Sequence, residues 1–354
     1  MAQSGRKKSR NGCTNCKRRH VKVGHRPSMY SAPTNDFEPF YSATNEHPVQ
    51  IASGVANSAV SFCLVALLLM HGILGLSALH KAHERPAEAV VYIQLCDKHL
   101  AKTLEGFRTM LSTDIAPEAN GALFACSCVL SISSVARSCL TTSALPSTQQ
   151  HLTMGQVAEL FMLTRGVSDM ISLYKEWLKA GPFGPICWAL DVPSHEGVQL
   201  SQPVQKQFDA LYGMLRRCRS PADRMDCEMA LQSLEDVYRF LLSVRQGSCS
   251  ELGILGRWAM TLPIGFIKMV SACSPPALII LSHFAVATLA FRDAWYAENW
   301  GRFVLRGIEK ALHESGMDRW LDWPVEQAAN IMCEPGLSLP CLEPGVSTTR
   351  RFRI

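Results

Sequence analysis

Acidic residues are missing from the first 35 positions, which carry nine cations, at 6, 7, 8, 10, 17, 18, 19, 22 and 26. Taking those nine from the 35 lysines and arginines of the whole 354-residue chain leaves 26 against all 30 acids, so the rest has a formal charge of −4. An evenly solvated, mixed-charge surface is thereby excluded. The positive charge labels one end, where DNA phosphates or a nuclear import receptor would read it. Charge is scarce elsewhere too: charged residues make up 18% of the chain, below the usual quarter. No apolar run follows the basic start, as a secretory leader would need, and the 14 cysteines lack regular spacing, so they read as reduced thiols of the cytosol or nucleus. No glycine-rich phosphate loop, nucleophile elbow or His-Glu-x-x-His motif is present, and the chain is not expected to be an enzyme. Alternating strand patterns between hairpin turns are missing as well.

What is present is apolar helical periodicity, backed by 47% hydrophobic residues, enough for a substantial core. Met154 to Lys179 sets Val157, Leu160, Phe161, Thr164, Val167, Met170, Ile171, Tyr174, Trp177 and Leu178 on one face and stops at Gly181-Pro182. Ser220-Pro221 with Asp223 reads as an N-cap, a proline in the first helical position and an acid in the first turn, opening a helix to about Gln246. Val204 to Arg217 and Asn299 to Glu314 repeat the pattern, the latter ending at Gly316. The expected fold is all-α with about ten helices. Prolines 27, 33, 39 and 48 among Ser, Thr and Asn mark a linker over residues 27 to about 55.

Two long apolar stretches raise the question of a membrane. Phe62 to Leu79 has no Lys, Arg, Asp or Glu but carries His71 and runs straight into Lys81, His83, Glu84 and Arg85; Pro275 to Phe291 has His283 at its centre. Both read as buried core helices, and a membrane is not an expected partner. His71, His80, His83 and His99 read as satisfied histidines, and Cys126 and Cys128 as structural thiols. Trp295, Tyr296, Trp300, Trp320 and Trp323, with Met260, Phe266 and Met269, are either plain core or the walls of a pocket for a planar lipid.

The chemistry-bearing motif is Cys13-Thr-Asn-Cys16, followed by Lys17-Arg18-Arg19-His20-Val21-Lys22. Two thiolates at this spacing can grip one zinc ion at the start of a cationic helix, and the flanking charge argues against a chance pair. The stretch from Gly12 to Lys22 resembles the opening of the fungal binuclear zinc cluster, in which six cysteines hold two zinc ions. The resemblance implies a zinc cofactor held by Cys13 and Cys16. It also implies a short helix in the DNA major groove, with Arg19 and His20 reaching bases and Lys17, Arg18 and Lys22 on phosphates. The third family cysteine would fall at position 23, where this chain has Val23, and Met29 stands where the fourth would be. No cysteine follows Cys16 until Cys63, so the six-thiolate cluster cannot form in the family's way. Either His20 or His25 completes a mononuclear site, or the second half of the module is altered or lost.

Farther on, Leu74 to His80, Ala277 to Ala285, Trp295 to Gly301 and Trp320-Leu321-Asp322-Trp323-Pro324 are similar to the C-terminal regulatory domain of fungal sterol uptake control proteins and their relatives. The domain plan implied is a partial DNA-binding module at 1–30, a disordered linker at 31–55, an α-helical regulatory domain at 56–335 and a flexible tail at 336–354. Function is expected to be zinc-dependent, sequence-specific regulation of RNA polymerase II genes in the nucleus, in sterol or lipid metabolism or a secondary-metabolite cluster. Expected partners are double-stranded DNA with CGG elements, an apolar small molecule and a second copy in a homodimer. The alternative is a helical regulatory or lipid-binding module that has lost DNA recognition and acts through partners.

Overall fold

The computed structural model describes residues 48–111, 120–181, 184, 199–243, 251–289 and 294–333. Every regular element among them is helical, as the sequence periodicity requires. The chain divides into a unit Met1–Val60, described only from Pro48 onward, and a unit Ser61–Ile354 that contains the core.

Helix α1 (Pro48–Glu84) begins with a proline in its first position, so helix starts inside the stretch expected to be linker. It stops before Pro86, whose ring disfavours α backbone at Arg85 (φ −131°, ψ 73°). Helices α2 (Ala89–Leu111) and α3 (Asn120–Ser143) follow. Val65 and Leu68 of α1 meet Met110 of α2, Leu123 and Cys126 of α3, and Met170 of the next helix in one apolar cluster. A second cluster joins Leu79, Cys96 and Ala136, flanked by Trp295 and Tyr296. Asp97 and Arg137 tie α2 to α3 through two hydrogen bonds of 2.6 and 3.0 Å.

Helix α4 (Met154–Ala180) opens on a capping box, with the Thr153 hydroxyl accepting from the Gln156 amide and the Gln156 side chain accepting from the Thr153 amide. The backbone leaves helical geometry at Tyr174 (φ −117°, ψ 18°). That kink keeps Leu178 buried but turns Trp177, expected on the inward face, to 36% exposure. Helices α5 (Gln202–Leu215), α6 (Pro221–Ser243), α7 (Glu251–Thr261), α8 (Ile264–Ser271), α9 (Pro275–Thr288), α10 (Trp300–Leu312) and α11 (Asp322–Cys333) complete the core.

Helix α9 lies in the middle. It packs on α5, α6, α8, α10 and α11, and every residue from Ala277 to Ala287 is buried. Its burial on all sides matches its apolarity around the whole circumference. Among the described residues, two helices are long and apolar enough to cross a membrane, Val65–Glu84 and Asn120–Ser143, and α8 with α9 forms a further apolar pair bent by 98°. Asn120–Ser143 carries Arg137, paired with Asp97, and packs on α2 and α4 in the same core.

Around α9, Trp258 stacks on Phe284 at 4.0 Å between ring centres and donates its indole N–H to the Ala230 carbonyl at 2.9 Å. Tyr238 donates its hydroxyl to the His283 carbonyl at 2.8 Å. The polar tips of these large aromatics are thus satisfied while their rings fill the core, each contributing about 1.5–3 kcal/mol of burial.

Candidate functional site

Cys13, Cys16, Lys17, Arg18, Arg19, His20 and Lys22, with His25, lie outside the described residues. Among the described residues no group of three His, Cys, Asp or Glu side chains is placed to hold a metal. The histidines of α1 and α2 have other partners. His71 and His99 share a hydrogen bond of 2.9 Å between their Nδ1 atoms. His80 meets Trp295 edge-on, and His83 lies 3.7 Å from Glu298. Burial of the Cys126 thiol pushes its pKa up to about 11, which leaves it inert at neutral pH.

The aromatic set considered as a pocket wall is dispersed by the fold. Trp300 and Phe266 are core, Trp295 and Tyr296 pack beside α1 and α3, and Met260 packs against the cluster of Phe124, Val167 and Leu178. Of that set, Met269 and Trp320 line one cavity together.

That cavity, of about 430 Å³, opens where the α5–α6 turn, the end of α8, the start of α9 and the turn before α11 converge. Met214, Met269, Met317 and Trp320 form an apolar floor, with the Cys218 and Cys227 thiols beside them. Cys227 is fully buried, and burial pushes its pKa up to about 12, so the thiol stays neutral. Arg217, Arg219 and Arg319 line the exposed side and make no ion pair with any described residue; Asp223 is the one carboxylate in the lining.

Local structure explains this arrangement. Helix α5 ends at Leu215, and the Arg217 and Cys218 amides bond back to the Met214 and Leu215 carbonyls, which turns the chain sharply toward α6. Ser220 then caps α6, its hydroxyl accepting from the Asp223 amide at 3.3 Å. The start of α9 also borders the cavity, but Pro275 and Pro276 carry no N–H. On the α9 side, positive charge at the opening therefore comes from guanidinium groups rather than from helix-end amides. In the sequence, the Arg216-Arg217-Cys218-Arg219 cluster was a visible signal; its convergence with Arg319 and Trp320, about a hundred positions on, was not.

In the core, Trp323 stacks on His283 at 5.0 Å with the rings 11° from parallel. His283 Nδ1 donates to the Ile279 carbonyl at 2.9 Å, which leaves Nε2 as a buried lone pair with no hydrogen-bond partner among the described residues. Burial lowers the His283 pKa to about 4, only partly opposed by the Ile279 bond, so the ring is neutral at physiological pH.

No protein-family profile, curated protein or solved structure matches the chain.

Proposed function

We propose that the chain is a zinc-dependent DNA-binding transcription regulator of the fungal zinc-cluster type, with an α-helical body that responds to an apolar small molecule. The observation that carries this reading is the charge polarity around Cys13 and Cys16: nine cations and no acid within the first 35 residues, against a formal −4 in the remainder. Zinc bound by the two thiolates organises the segment. Arg19 can then pair with guanine O6 and N7, a contact that discriminates bases by about 1–3 kcal/mol. Lys17, Arg18 and Lys22 neutralise phosphates, and three such contacts give a slope of about −3 for log K against log salt.

Purified protein is expected to carry zinc and to bind a CGG-containing duplex more tightly than a scrambled duplex. Equal, metal-independent binding to both would reject the reading. Val23 and the gap in cysteines from 17 to 62 favour a second reading, a helical module that has lost DNA recognition and acts through partners. Occupancy of a promoter in cells by this chain alone would exclude that alternative.

A further inference from the structure

We infer that the cavity between the α5–α6 turn and the turn before α11 binds an amphipathic carboxylate, a fatty acid or a molecule of that form, with its chain on the methionine floor and its headgroup among the arginines. The inference rests on the reading of the helical body as the ligand-responsive part of the protein, and it names the class of ligand.

Volume, floor and rim each restrict the occupant. At about 430 Å³ the cavity falls within the roughly 300–1,000 Å³ of small-molecule sites. Met214, Met269 and Met317 give unbranched, polarizable surfaces that adapt to a flexible alkyl chain, and Trp320 adds a broad apolar face. A floor of this kind gives nothing to a small hydrophilic anion such as inorganic phosphate. Within the lining three guanidiniums stand against the Asp223 carboxylate, while Asp226 and Glu228 act on the Cys227 thiol from α6; the guanidiniums offer a charged headgroup a partner that a neutral sterol would not use. Guanidinium is weakly hydrated, and its planar fork matches a carboxylate through two parallel hydrogen bonds. Cys227 is held neutral by burial and so does not repel an anion. Arg217 and Arg219 follow α5 directly while Arg319 comes from the turn before α11, so one headgroup would bridge segments distant in sequence.

The test is calorimetric titration of the full chain with dodecanoate, dodecanol and acetate, below micelle-forming concentrations. Dodecanoate is expected to bind at least tenfold more tightly than dodecanol, and acetate not to bind detectably. Arg217→Gln and Arg319→Gln should each weaken dodecanoate about tenfold and leave dodecanol unchanged. Met269→Trp, which fills the floor, should abolish binding of both. Equal affinity for dodecanoate and dodecanol, or dodecanoate binding unaffected by both arginine substitutions, would overturn the assignment. The arginines are exposed, so unfolding curves of those variants should match the parent and keep the comparison valid even if Met269→Trp fails to fold. Duplex binding is measured on the same samples. Loss of dodecanoate binding with CGG recognition intact overturns this site alone, whereas dodecanoate binding without DNA recognition overturns the regulator reading alone.

Discussion

His283 shows how far a single buried side chain can set the behaviour of this protein. Its pKa falls from an ordinary 6.5 to about 4 because the ring is enclosed beside Trp323, with Nε2 unpaired among the described residues. Between those values the unfolded chain binds a proton that the folded chain refuses, so stability is full above about pH 6.5 and declines as pH falls toward 4. The loss totals about 3 kcal/mol, and His283→Phe is expected to flatten that part of the pH dependence; urea unfolding at pH 7 and pH 5 would show it. Thiol chemistry follows the same logic of enclosure. Burial pushes Cys96, Cys139 and Cys227 up to about 12, while Cys273 is exposed at the turn between α8 and α9. Alkylation under native conditions followed by peptide mapping should modify Cys273 well before those three.

Within single elements, the helix starts and close approaches carry the testable energy. Thr153→Ala removes the capping box of α4 and is expected to cost about 1 kcal/mol in denaturant unfolding. Gly301 permits α10 to lie against α9: a methyl group there would collide with the Ala285 carbonyl oxygen and the Thr288 hydroxyl. Backbone cannot move aside as a flexible side chain can, so Gly301→Ala should destabilise the fold by about 1–3 kcal/mol, measurable as a lowered urea midpoint. Much of this layer was legible in the sequence. The three-to-four spacing from Met154 matches α4 to within a residue at its end, and Ser220-Pro221 marks the start of α6 as read. Trp177 was not legible, because periodicity assumes a straight helix and the kink at Tyr174 is local. Nor did the sequence single out α3, whose apolar length matches that of a membrane span while Arg137 finds its counter-charge on another helix.

At the scale of the whole molecule, charge polarity governs the expected interactions. Removing residues 1–35 would take the formal charge from +5 to −4 and should abolish salt-sensitive retention on immobilised duplex DNA, while far-ultraviolet dichroism of the helical body persists. The basic segment could be read directly because its signal is local: residue type and spacing suffice. The cavity could not, since its rim joins Arg217 to Arg319 and periodicity says nothing about which helix ends meet. Helix α9, enclosed by five others, has a consequence for biogenesis. Its coverings α10 and α11 are encoded after it, ending at Leu312 and Cys333. At about 5–20 residues per second, roughly 2–9 s separate the synthesis of Thr288 from that of Cys333. During that interval the nascent chain holds a greasy rod covered only on the flanks that α5, α6 and α8 can reach, and the ribosome-bound intermediate offers holdase chaperones the remaining apolar flank.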